Sequence, residues 1–301
     1  MPVAVNLSSV QLENEALLAV VRQALARNGL DPRDLHLELT ESAVMKDPAS
    51  ATRTLQALRT LGIRLALDDF GTGYSSLGYF KRFPFHCVKI DRSFVTDITT
   101  NAEDAAIAAA IIAMSHRLGL TVVAEGVETE GQFRYLRAQG CDEMQGYFFS
   151  PAVAADAFED LLKNRRRLVL PDAPSAKSTL LVVDNESDVR SALTRLLRRD
   201  GYEVLTAGSG AEALELLALN PVQVIISGQR MELMSGTAFL ETAKHLYPDT
   251  LRIILSGYTD LLAVTDAVNR GAVFKFLTKP WDDEQLREQV RDAFRRYRPA
   301  A

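Results

Sequence analysis

Short apolar, β-branched runs alternate with segments whose apolar residues recur at helical spacing, and the alternation persists along nearly the whole chain. In the first half the pattern predicts strands at 3–5, 35–37, 64–67, 87–88, 121–124 and 141–144. The helices between them have readable ends. Leu17, Val21 and Leu25 share one face ahead of Gly29, and Asp47-Pro48 opens a helix that carries Leu55 and Leu58 to Gly62. Gly119 and Gly140 stop two more. Strand, helix and stop glycine in succession are the rhythm of a parallel βα barrel, which closes with eight units in about 250 residues. Here six units fit within about 160 residues.

Residues 164–177 lose periodicity and hold Arg165, Arg166, Arg167, Pro171 and Pro174, as expected of a linker. A second series follows, with strands predicted at 180–183, 203–206, 222–226, 252–255 and 273–276. Five βα units of this size fit a flavodoxin-like doubly wound domain. The predicted class is α/β: an incomplete (β/α)8 TIM-type barrel over 1–163, a linker over 164–177, and a (βα)5 domain over 178–298.

Composition narrows the field. Of 301 residues, 47% are hydrophobic and 24% charged, which excludes extended disorder. No apolar run approaches the roughly 18 residues of a membrane span. The net charge of −5 argues against a generic nucleic-acid binder, and the basic run 165–167 reads as solvated linker. The start at Met1 goes straight into strand-like sequence without the features of a secretion signal, so a cytoplasmic location is expected. Cys87 and Cys141 lie too far apart to form a metal knuckle and are assigned to the core.

The residues that terminate the first-half strands carry the chemistry: Asn6, Glu38, Asp68 with Asp69, Lys89, Glu125 and Gln145. Parallel barrels build their sites at the C-terminal ends of their strands, so these side chains should surround one pocket. Carboxylates with an amide and a lysine make a hard-oxygen cage suited to Mg2+ or Mn2+, and a phosphodiester is a natural substrate. Glu41 and the Gly-rich loop 69–76 add a segment able to move over that pocket, or else a plain turn.

These segments resemble the EAL family. VAVNLS at 3–8, ELTES at 38–42, DDFGTGYSSL at 68–77, VKIDRSFV at 88–95, VVAEGVE at 122–128 and QGYFFSPA at 145–152 follow its motifs in order. The resemblance implies hydrolysis of cyclic di-GMP to pGpG, with Asn6, Glu38, Asp68 and Asp69 as ligands of a two-ion site. It further implies that Lys89 positions water, that Glu125 serves metal, water or base, that Gln145 lines the site, and that Glu41 steadies the loop and couples the site to dimerisation. The expected partners are cyclic di-GMP, a second copy through either or both domains, and a signalling protein.

The glutamate strand that names the family does not precede Asn6, so two βα units and one metal ligand are expected to be missing and turnover to be low. A start site placed too late in a longer gene is the favoured origin; a genuine truncation and a deliberately shortened chain are the alternatives. A non-catalytic regulator that binds cyclic di-GMP or docks a protein is the alternative function.

The second half resembles a response-regulator receiver. LVVDNESDVR at 181–190 matches its acidic corner with Asp184, IILSGYTD at 253–260 its switch hydroxyl with Ser256, and FLTKPW at 276–281 its lysine with Lys279. Two positions depart from the family: Gly228 stands where the acceptor aspartate is expected, and Asn185 where a second acidic ligand is usual. Glycine offers no nucleophile, so a pseudo-receiver used for docking or dimerisation is expected. Glu232 is an alternative source of fixed charge.

Overall fold

The computed structural model describes residues 2–73, 82–164, 168, 178–257 and 272–297. The chain divides into two compact units, one of Met1–Ile98 with Glu103–Arg166 and one of Arg167–Ala301 with Thr99–Ala102. Residues 165–167 and 169–177, which hold the predicted basic run and most of the predicted linker, lie outside the described residues, as does the predicted loop from 74 onward.

The first unit is a curled, all-parallel sheet in the order β1-β2-β3-β4-β5-β6, so each strand pairs with its neighbour in sequence. The strands are β1 (Val3–Asn6), β2 (Leu35–Thr40), β3 (Arg64–Phe70), β4 (Cys87–Ile90), β5 (Thr121–Glu125) and β6 (Glu143–Gln145). This uninterrupted order is that of a barrel sector, because each crossover returns on the same side. Leu37, Leu39, Leu65, Leu67, Val88, Ile90, Val122 and Ala124 are buried. They alternate with residues such as Glu38, Ala66, Lys89 and Val123, which line the concave side.

The crossover helices cover the apolar side. Helix Leu17–Asn28 buries Leu17 and Leu25 and ends at Gly29 in the left-handed conformation (φ 61°). Helix Pro48–Thr60 starts where the Asp47 side chain accepts from Ser50 N–H, and it buries Ala51, Leu55 and Leu58. Each fully buried leucine contributes about 1.5–3 kcal/mol relative to an exposed one.

The strands run further than their apolar cores suggest. They reach Asn6, Thr40, Phe70, Ile90, Glu125 and Gln145, with ladder partners Asn6↔Glu38, Thr40↔Asp68 and Glu125↔Gln145. Polar residues that read as strand ends are thus inside the ladder, since the backbone keeps pairing while the side chains turn to the concave rim. The sixth strand also starts later than expected, at Glu143. Cys141 is buried as expected, whereas Cys87 is only half-buried and lines the concavity instead of the core. Its position at the start of β4 places it on the inner face.

The second unit is a five-stranded parallel sheet in the order β11-β10-β9-β7-β8, the arrangement of a doubly wound domain. Its strands are β7 (Thr179–Val183), β8 (Glu203–Ala207), β9 (Val224–Gly228), β10 (Leu251–Ser256) and β11 (Lys275–Thr278). β9 and β11 begin two residues later than predicted, because Val222 and Val273 are buried as apolar lead-ins to the ladder rather than members of it. Leu180, Val182, Leu193, Leu197, Ile226, Ile253, Leu255, Leu286 and Val290 form the core. Tyr202 stacks on Phe294 at 4.5 Å between ring centres. Among the described residues no helix is long and apolar enough to cross a membrane.

Candidate active site

The strands of the first unit deliver their polar residues to one end of the sheet, and Lys89 is the hub. Its Nζ lies 2.7 Å from Glu38 Oε2, 2.5 Å from Glu125 Oε1 and 3.4 Å from Asp68 Oδ1. The lysine side chain is 6% exposed, against 15% for Glu38, 13% for Asp68 and 23% for Glu125. Side chains from β2, β3, β4 and β5 therefore meet in one place although they span 88 positions of sequence (125 − 38 + 1).

Asp68 and Asp69 are adjacent on one strand, and in a regular ladder consecutive side chains would face opposite sides. The strand breaks that rule. The pairing of β3 with β4 passes from Leu67↔Val88 to Phe70↔Ile90, so two residues of β3 stand against one of β4. This bulge places Asp69 at φ 53°, a left-handed conformation that aspartate tolerates better than most residues. Both carboxylates consequently turn toward the same space, where ligand oxygens of Asp68, Asp69 and Glu125 lie within 4.8 Å of one another.

The electrostatics follow from an excess of negative charge around a single cation. Burial opposes the charge on Lys89, but hydrogen bonds to Glu125 and Glu38 outweigh it and push the ammonium above the ordinary lysine value. Burial raises Glu125, and Asp68 and Glu38 add to that rise against the pull of Lys89. Burial, then the charges of Asp68 and Asp91, raises Asp69. A lysine held protonated beside carboxylates that are costly to ionise is a site with room for more positive charge. The donor set, all hard carboxylate oxygen, fits Mg2+ or Mn2+ better than a softer metal.

The other predicted residues take distinct places. Gln145 pairs with Glu125 in register and, with Glu38, Lys89 and Glu143, lines a cavity of about 320 Å³ on the concave side. Asn6 ends β1 beside Glu38 in register and is exposed. Glu41 opens the helix Glu41–Met45, is 6% exposed, and lies with its carboxyl 3.2 Å from where a side chain on Gly73 would begin. Any bulkier residue at 73 would press on it. Sequence reasoning missed Asp91, which adds to the rise of Asp69 and is held by Ser93 through its N–H (2.9 Å) and hydroxyl (2.5 Å). The available signal was its place directly after β4, two residues beyond Lys89.

In the second unit, Asp184 follows β7 and is fully buried, Gly228 ends β9, Ser256 ends β10 and Lys279 follows β11. Lys279 Nζ lies 2.7 Å from Asp184 Oδ2 and 3.3 Å from Glu186 Oε1. Asn185 is exposed, and the Ser256 hydroxyl donates to the Gly257 carbonyl at 3.4 Å. A cleft of about 190 Å³ is lined by Glu186, Gln229, Arg230, Ser256 and Lys279. Glu232 is exposed and is not part of that lining.

A parallel barrel sector with acidic strand ends, followed by a doubly wound domain with the Asp184–Lys279 corner, defines the class. The profile described as EAL domain matches residues 1–152, and that described as response regulator receiver domain matches 180–291. The chain belongs to the EAL domain family and carries a receiver domain after it.

Among similar proteins, the cyclic di-GMP phosphodiesterase NbdA of Pseudomonas aeruginosa is 46% identical over 164 residues, 54% of this chain and 21% of that protein. The bifunctional diguanylate cyclase/cyclic di-GMP phosphodiesterase MucR of the same organism is 44% identical over 154 residues, 51% of this chain and 22% of that protein. This chain thus spans about a fifth of the length of these relatives. A solved structure described as the PaMucR phosphodiesterase in complex with c-di-GMP superposes with a TM-score of 0.51 at 43% identity, covering 52% of this chain and 64% of that one. The EAL domain of Mycobacterium smegmatis DcpA gives 0.54 at 38% identity, covering 56% and 75%.

Proposed function

We propose that the first unit is the larger part of a cyclic di-GMP phosphodiesterase that produces pGpG, and that the second is a receiver that does not accept a phosphoryl group. The observation that carries the first reading is the meeting of Glu38, Asp68, Asp69, Lys89 and Glu125 at one rim of a parallel sheet. Asn6, Glu38, Asp68, Asp69 and Glu125 would hold Mg2+ or Mn2+. Such ions polarise a phosphoryl oxygen and lower the pKa of a bound water.

The protein's own groups divide the remaining work. Lys89, kept protonated by its carboxylates, acts as a donor that orients the attacking water and not as a base. Glu125, raised above the ordinary carboxylate value, is the better proton acceptor of the set. Gln145 contacts the substrate from the β6 side, and Glu41 positions the loop that begins at Gly71.

The upstream glutamate expected of the family is not among residues 1–301, and residues acting as a unit fail together, so turnover by these residues alone is low. Supplying the two missing βα units, in the same chain or from a partner, would restore it. Gly228 leaves the receiver without a nucleophile, and docking to a second copy or to a signalling protein is its role.

Calorimetry with cyclic di-GMP and Mn2+, paired with chromatography for pGpG, tests the reading. Saturable binding with slow product formation that is lost in Glu125→Gln is expected. Neither heat nor product at high micromolar nucleotide would refute it.

A further inference from the structure

A divalent cation between the ends of β7 and β9 needs several oxygen donors free to turn toward one point. The described residues of this receiver do not supply them. Among the described residues Asp184 is the one buried carboxylate there, and each of its oxygens already has a donor: Oδ1 accepts from the Glu186 N–H at 3.0 Å, and Oδ2 accepts from Lys279 Nζ at 2.7 Å, while the exposed Glu186 carboxylate is itself 3.3 Å from that ammonium. Its carbonyl accepts from Arg190 Nη1 at 2.5 Å. Asn185 is exposed, and Gly228 contributes no side chain.

The glycine does more than remove a nucleophile. A Cβ at residue 228 would fall 2.9 Å from the carboxyl carbon of Asp184 and closer still to Oδ2, whereas non-bonded carbons rest about 3.5–4.0 Å apart. Asp184 therefore occupies the volume that any side chain at 228 would require. From that volume it reaches Lys279. The backbone beside it is clamped as well: Gln229 N–H donates to the Leu255 carbonyl at 3.1 Å, and Gly236 N–H donates to the Gln229 carbonyl at 2.9 Å.

We propose that the Asp184–Lys279 ion pair, seated in the space left by Gly228, replaces both the cation and the acceptor, and holds this cleft in one arrangement that neither Mg2+ nor a phosphoryl donor alters. The receiver is then a constant docking platform, not a switch. The proposal rests on the reading of the second unit as a docking receiver without an acceptor and is independent of the phosphodiesterase reading, since it concerns the second unit alone.

Trp281, the single tryptophan of the chain, stands two residues beyond Lys279 and donates to Asp283 Oδ1 at 3.1 Å, so its fluorescence reports on this corner. Titration of the full chain with Mg2+ alone should leave that signal without a saturable change through the millimolar range. A saturable change there would overturn the proposal. In Lys279→Met the urea midpoint read at Trp281 should fall, and an unchanged midpoint would equally overturn it. Should Lys279→Met fail to fold by circular dichroism, Gly228→Ala makes the same test, because the added Cβ must displace the Asp184 carboxylate. The expected result is a lowered midpoint and a fluorescence that responds to Mg2+; behaviour identical to the parent chain would refute the idea.

Discussion

Replacing Lys89 by methionine removes one positive charge and leaves the volume nearly unchanged, so it isolates the electrostatic role of the hub. Three carboxylates within 3.4 Å of Nζ lose their counter-charge, and all three are more than three-quarters buried. Removing one partner of a buried ion pair costs about 3–5 kcal/mol. The carboxylates keep a 13–23% exposed fringe through which water or protons can relax the repulsion, so the cost falls below that range, to about 2–3 kcal/mol. For a unit of this size each kcal/mol moves the melting temperature by about 2–4 °C, which gives a fall of about 4–12 °C at neutral pH.

The folded-state value of Lys89 is raised, so its contribution is fully present below the unfolded lysine value and is lost only as pH rises through the folded one. Throughout the acidic and neutral range the lysine is therefore charged, and any pH dependence of the variant's deficit comes from the carboxylates. Burial raises Glu125, so its protonation in mild acid should shrink the deficit. Scanning calorimetry of the full chain resolves the first unit's transition. A variant that melts with the parent at neutral pH, or one whose deficit is the same in mild acid, would show that the cluster does not carry the charge described.

Divalent cations should stabilise the first unit increasingly with pH. Asp69 and Glu125 have raised folded-state values, so their stabilising protonated form is present below the unfolded carboxylate range and is lost as pH climbs through the folded values. A Mn2+-induced rise in melting temperature that is larger at neutral pH than in mild acid, and that chelation reverses, is the expected result. Mass spectrometry after exposure to acetyl phosphate should find the receiver unmodified; a phosphoryl group on Asp184 would contradict the assignment at Gly228. Arg252 is buried and donates to the carbonyls of Ala272 at 2.9 Å and Thr250 at 2.6 Å, so Arg252→Met should cost the second unit about 2–3 kcal/mol in urea unfolding read at Trp281.

The sequence by itself determined the class and the order of elements, because burial on the helix-covered face forces apolar residues into a period that survives in one dimension. Leu37, Leu39, Leu65 and Leu67 mark strands, and Gly29, Gly62, Gly119 and Gly140, all at positive φ, mark the stops after the helices. It also put Asn6, Glu38, Asp68, Lys89, Glu125 and Gln145 at strand ends. What it could not express is how a ladder continues beneath polar side chains, since hydrogen bonds between strands leave no trace in residue type. Only the tertiary structure decided that Asp68 and Asp69 face one space, through a bulge fixed by the register of β3 against β4. Only it seated Asp184 in the room left by Gly228, a relation between residues 44 positions apart (228 − 184) that depends on which strands lie side by side.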